Sequence, residues 1–142
     1  MPKVSVSTVT KASPEQIWQV LTDPGRTPEW NAMHQGFTGD VPATLTEGVR
    51  YKQKVKLMGM PADMAWKVVT ADGTTLEQAG DGPMGVKAKN RFRLERAEGG
   101  TQITYDMEFL GPALTGPMAA MLEKQAGPAA KQALDKLTGL VE

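Results

Sequence analysis

Apolar and polar residues alternate with period two along the middle of the chain, and the pattern turns helical in two places. Val4-Ser5-Val6-Ser7-Thr8-Val9 predicts a first strand over 4–9. Residues 49–57 alternate Val49, Tyr51, Val55 and Leu57 with Arg50, Lys52, Lys54 and Lys56, which predicts a strand with one apolar and one basic face. Residues 64–70 form the next strand, after Gly59-Met60-Pro61. Asp72-Gly73 then signals a hairpin into 74–79. The same alternation returns over 86–94 and, past Gly99-Gly100, over 103–109, whereas 37–41 reads as a weak strand or a loop. Beyond Gly111-Pro112 the apolar spacing becomes helical through Leu114, Met118, Met121, Leu122, Ala126, Leu134 and Leu137. Gly127-Pro128 falls inside that helix and predicts a kink or break near residue 124.

The other helical stretch lies near the start. Ser13 suits an N-cap, Pro14 the first helical position, and Gln16 the third position of a capping box. Ile17, Val20 and Leu21 form its apolar stripe, and Asp23-Pro24-Gly25 ends it before a second short helical segment around Pro28-Glu29-Trp30. The order is therefore a strand, two short helices, a meander of strands and a long closing helix, which defines an α+β chain.

Composition narrows the function classes. The 142 residues fit one domain, 1–142, with one core, and 16 basic residues balance 16 acidic ones. No global field therefore favours nucleic acid or an anionic membrane. Cysteine is absent, which excludes disulfides, thiol catalysis and thiolate metal sites. No apolar run reaches the roughly 18 residues of a membrane span, and the first residues alternate like a strand rather than forming a signal peptide. A soluble cytoplasmic protein without stable membrane insertion is expected. The basic residues of 50–56 and 87–93 are expected on a solvated outer face, with Asp106 and Glu108 as cross-strand partners.

The strand, the short capped helix, the Asp-Pro break and the Pro-Glu-Trp turn resemble the opening of the START/Bet v 1-like (SRPBCC) superfamily. Its bacterial polyketide cyclase/dehydrase branch is the nearest in flavour, and the order of elements agrees along essentially the whole chain. The resemblance implies a helix-grip fold, with a curved antiparallel sheet of about seven strands wrapped around the C-terminal helix. It also implies a hollow that takes an apolar small molecule.

On the inner face of the meander, Tyr51, Gln53, Val55, Trp66 and Val68 come from its first half, and Asn90, Phe92, Tyr105 and Met107 from its second. Gln53 and Asn90 are amides on otherwise apolar faces. Either they bond each other, Tyr105 or ordered water, or they anchor a ligand together with the Tyr51 and Tyr105 hydroxyls. Met58, Met60, Met64, Met84, Met118 and Met121 fall in or beside loops at one end, where flexible thioethers would form a deformable mouth or plug the core. The ligand-binding set is completed by Met64, Met84, Met118, Met121 and Leu122.

Chemistry is harder to find. His34 is the single histidine and reads as a solvated residue. Asp63 and Asp81 would lie at the methionine end. One histidine without cysteine gives no metal site, and no phosphate loop, dinucleotide motif or hydrolase elbow is present. The sequence thus assigns no catalytic residue and no cofactor. It favours a monomer or weak homodimer that binds a lipid, polyketide or isoprenoid. The resemblance also allows a cyclase/dehydratase using the same pocket, or an interaction protein of co-chaperone-like or toxin–antitoxin-associated type acting through its surface.

Overall fold

The computed structural model describes residues 3–31, 33–57, 59–112 and 114–142. Chain order gives β1 (Lys3–Thr10), α1 (Pro14–Leu21), α2 (Thr27–Trp30), β2 (His34–Thr38), β3 (Arg50–Leu57) and β4 (Met60–Ala71). After these come β5 (Thr75–Asp81), β6 (Lys87–Ala97), β7 (Gly100–Leu110) and α3 (Gly116–Val141). The strands form one antiparallel sheet in the order β1-β7-β6-β5-β4-β3-β2. This is the α+β helix-grip arrangement that the alternating pattern and the resemblance implied.

Local chemistry builds α1 as expected. The Ser13 hydroxyl accepts from the Gln16 amide at 3.2 Å, and the Gln16 side chain accepts from the Ser13 amide at 2.9 Å. Ile17, Val20 and Leu21 are buried, and α1 and α2 both pack against α3. The largest interhelical and helix–sheet contact of α3 is with β1. Ala130, Ala133, Leu134 and Leu137, each at most 1% exposed, form its deepest face. Two polar links tie β1 to α3. Thr10 Oγ1 donates to Glu142 Oε2 at 2.6 Å, and Lys131 Nζ donates to the Ser7 carbonyl at 3.3 Å.

Three boundaries differ from the sequence expectation. β2 runs over His34–Thr38 rather than 37–41, because His34 pairs with Val55 and Phe37 with Gln53 across a bulge. β4 starts at Met60, so that Pro61 lies in the strand opposite Lys56 and the β3–β4 connection shrinks to a tight turn. The long helix is continuous through Pro128, so the break considered near residue 124 does not occur. Proline forfeits one backbone hydrogen bond, but buried Leu122 and Ala126 before it and Ala130 and Leu134 after it hold both halves.

The outer face is charged, and its charge divides into two regions. Arg91 and Arg93 reach Asp106 at 3.3 and 3.1 Å, and Ser5 Oγ donates to the same carboxylate at 2.6 Å. Glu108 faces Lys89 in the register, but no ion pair joins them among the described residues. One of the two expected acidic partners therefore acts as such.

Candidate ligand site on the inner face

The inner face of the sheet carries two adjoining cavities of about 40 Å³ each. They share Asn31, Gln53, Asn90 and Tyr105 in their walls. The first cavity is closed by Leu21, Pro24, Trp30 and Leu45 from the segment between β1 and β3, and by Tyr51, Leu76, Gln78 and Phe92 from the sheet. The second is closed by Met33, Val55, Met64, Trp66, Met107 and Phe109. A water needs roughly 10–15 Å³ of such space, so each cavity has room for a few water-sized groups.

Aromatic packing fixes the shared wall. Phe92 stacks on Tyr105 with ring centroids 4.0 Å apart, and Trp30 meets the Phe92 edge at 5.7 Å. Trp30 thus enters the cavity wall, and its indole Nε1 is buried with no hydrogen-bond partner among the described residues. Tyr105 is 3% exposed, and burial pushes its hydroxyl well above the ordinary phenol range. Among the described residues, no hydrogen bond is made by that hydroxyl.

Two amide-centred relays line the cavities, and they are not the pairing considered from sequence. Gln53 does not bond Asn90. Trp66 Nε1 donates to Gln53 Oε1 at 2.9 Å, and Gln53 Nε2 meets His34 Nδ1 at 2.7 Å. In the other relay the Tyr51 hydroxyl donates to Gln78 Oε1, and Gln78 Nε2 donates to Asn90 Oδ1 at 3.5 Å. Burial also raises the Tyr51 hydroxyl above the ordinary range. Gln78 was missed because its inward row, Leu76-Gln78-Gly80, holds a single apolar side chain; its period-two position was the available signal.

The first relay sets the state of His34. Indole nitrogen can only donate, so it fixes the Gln53 oxygen toward Trp66 and the Gln53 nitrogen toward the imidazole. His34 Nδ1 must then be the acceptor, leaving the proton of a neutral ring on Nε2. His34 is therefore half-buried and bonded rather than solvated, and burial lowers its pKa. A depressed histidine pKa gives stability that is present above the unfolded value near 6.5 and is lost as pH falls below it. Urea unfolding at about pH 7.5 and about pH 5.5 is expected to show wild type losing stability at the lower pH, with the loss reduced in His34→Gln. Equal pH dependence in the two proteins would contradict this account.

The remaining predicted site residues fall elsewhere. Val68 is fully buried in the core, and Leu122 is 3% exposed on α3 without lining either cavity. Met60, Met84, Met118 and Met121 are exposed, and Met84 adopts a left-handed φ of 59°. None of these four lines the cavities. Met58 lies outside the described residues. Asp81 pairs with Lys87 at 2.7 Å on the surface, and Asp63 is exposed opposite Lys54. No group of three or more histidines, cysteines or carboxylates suited to a metal ion is present among the described residues.

A curled seven-stranded sheet gripping a C-terminal helix, with cavities on its inner face, defines the START/Bet v 1 class of fold. The START superfamily protein from Mycobacterium smegmatis superposes with a TM-score of 0.74 at 22% identity, over 98% of this chain and 96% of that one. Ara h 8.0201 gives a TM-score of 0.71 at 16% identity, over 98% and 96%. Within that class, residues 1–142 match the family model described as polyketide cyclase / dehydrase and lipid transport, and the chain belongs to this family. A curated relative, Toxin Rv0910 from Mycobacterium tuberculosis (strain ATCC 25618 / H37Rv), is 32% identical over 125 residues, covering 86% of this chain and 85% of the relative. No helix is long and apolar enough among the described residues to cross a membrane.

Proposed function

We propose that the protein binds an apolar or amphipathic small molecule of the lipid, polyketide or isoprenoid class on the inner face of the sheet. The observation that carries this reading is the pair of adjoining cavities, mixed in the first and chiefly apolar in the second, with polar groups to spare at their junction. The Trp30 indole holds a buried donor without a partner among the described residues, and the Tyr105 hydroxyl and Asn90 Nδ2 add two further polar groups. A few placed polar groups in an apolar enclosure fix orientation, while the apolar wall supplies affinity. Ligand pockets usually measure about 300–1,000 Å³, so binding requires the two cavities to merge and enlarge. Met64 and Met107 suit that role, since unbranched thioethers change shape at low cost. Family membership supports the same reading.

Uptake of the neutral dye 1-aminoanthracene tests it. Wild type is expected to enhance and blue-shift the dye's emission. Ala88→Phe, which puts a large ring into the second cavity, is expected to abolish the signal while thermal unfolding stays cooperative. Met60→Glu combined with Met84→Glu is expected to slow uptake, since both side chains are exposed and their replacement leaves the core intact. Unchanged binding in Ala88→Phe would overturn the site.

A second reading, a protein that acts through its surface, is supported by the small cavity volume. Native mass spectrometry separates the two: a co-purifying apolar mass favours carriage, and its absence together with no dye uptake favours the surface reading.

A further inference from the structure

The outer face of the same strands carries a trough of about 750 Å³, far larger than either inner cavity. The strand register explains its shape. One row across the sheet reads Thr38-Lys52-Ala65-Asp81-Lys87-Leu110, and the next reads Arg50-Lys67-Ala79-Lys89-Glu108. Ala65 on β4 and Ala79 on β5 leave two low points set diagonally, with Asp81 and Lys67 opposite them on the same two strands and Arg50, Lys52, Lys87 and Lys89 on the flanking strands. Alanine is a poor strand former, and an exposed strand position gains nothing from it in isolation. Here it leaves the sheet surface low between longer side chains.

The charges around this floor are largely unspent. Lys87 is neutralised by Asp81, and Asp40 also lines the trough. Arg50, Lys52, Lys67 and Lys89 form no ion pair among the described residues. The adjacent half of the outer face differs, because Arg91 and Arg93 there share Asp106. Four cations without ion pairs among the described residues, set around the two alanines in a chain with no net charge, make a local anion-attracting surface.

We propose that this trough docks an extended acidic segment of a partner polypeptide. Alternate residues of an extended chain repeat at about 6.8 Å, which is also the spacing of Arg50 from Lys52 and of Lys87 from Lys89. Carboxylates at every second position of the segment thus meet the basic rows in register. The flanking rows on β3 and β6 stand about 14 Å apart, from three strand spacings, so an extended chain lying over Ala65 and Ala79 has Lys67 within reach as well. A nucleic acid fits less well. Single strands rely on stacking against aromatic rings, worth roughly 1–3 kcal/mol per base, and none of the exposed large apolar side chains is aromatic. The trough shares Tyr51, Trp66, Ala88 and Lys89 with the linings of the inner cavities, but its docking role requires no ligand inside them.

Fluorescence anisotropy at physiological salt tests the proposal, using a labelled peptide of alternating glutamate and serine, its lysine–serine counterpart, and a labelled uridine oligonucleotide. The acidic peptide is expected to bind and the basic one not to. Lys52→Glu combined with Lys67→Glu is expected to weaken binding at least about tenfold. Ala79→Tyr, which fills the floor without changing charge, is expected to do the same. Lys124→Glu combined with Lys136→Glu, on exposed positions of α3, is expected to leave binding unchanged. Circular dichroism melts check that each variant folds; should Ala79→Tyr not fold, the lysine pair decides. Failure of the acidic peptide to bind, equal loss in the α3 variant, or tighter binding of the oligonucleotide would each overturn the proposal.

Discussion

Gly100→Ala is expected to destabilise the protein by about 3 kcal/mol or more, a fall in Tm of roughly 10 °C for a chain of this size. A Cβ built at Gly100 lies 1.9 Å from the Thr10 carbonyl oxygen and 2.9 Å from the Lys11 Cα. Both obstacles are backbone, so no rotamer change relieves the collision. The chain crosses closely here because Thr10 pairs with Thr101, and the Thr101 hydroxyl donates to the Ala12 carbonyl at 2.8 Å. Separation of the two strands would also pull Thr10 away from Glu142 and loosen α3. Differential scanning calorimetry of Gly100→Ala and of Gly139→Ala compares a close approach with a glycine of α3 that has open space beside it and an ordinary φ. A Tm for Gly100→Ala within a degree or so of wild type would refute the role assigned to this crossing.

Gly80→Ala is expected to cost about 2–3 kcal/mol and to disable the inner site as well. Gly80 pairs directly with Trp66, and a Cβ there would lie 2.6 and 2.7 Å from two carbons of the indole ring. The ring has little freedom to yield, because its Nε1 is held by Gln53 at 2.9 Å. Displacement of the indole releases Gln53, and Gln53 then no longer fixes His34. Two linked readouts are expected: a lower Tm, and a red shift in tryptophan emission as the indole loses its enclosed position. Dye uptake is expected to fall with them. An alanine variant with native emission and native uptake would show that the indole has room to move.

Much of this architecture was written in local patterns. Ser13, Pro14 and Gln16 announced the capped helix because capping depends on residues within one turn. Period-two alternation announced β3, β6 and β7 because one face of each is buried and the other charged. What local patterns could not supply was register. His34 meets Gln53 only because β2 pairs with β3 across a bulge, and Gln78 meets Tyr51 only because β5 and β3 curl toward a common interior. The short helical segment around Trp30 was legible, but the place of its ring in the cavity wall depends on where Phe92 lies. The exposed methionines illustrate the opposite limit. Their clustering near one end was legible, but whether a side chain lines a hollow or faces water depends on how far each hairpin extends. Ala65 and Ala79 carried almost no signal, being small residues in strands whose neighbours were more conspicuous.

The position of β1 has a consequence for synthesis. β1 emerges early, yet its only partner in the sheet is β7, with Lys3 opposite Glu108 and Thr10 opposite Thr101. Its helical neighbour, α3, is later still. At about 5–20 residues per second, a ribosome takes on the order of 5–20 s to make the intervening chain. During that interval β1 is an unpaired, alternating strand with a free edge, open to pairing with whatever is near. Its serines and threonines at Ser5, Ser7, Thr8 and Thr10 keep it less apolar than β7 while it waits. Closure of the sheet at this end therefore waits for β7, and pairing then covers one edge of β1 while the other stays at the rim of the sheet.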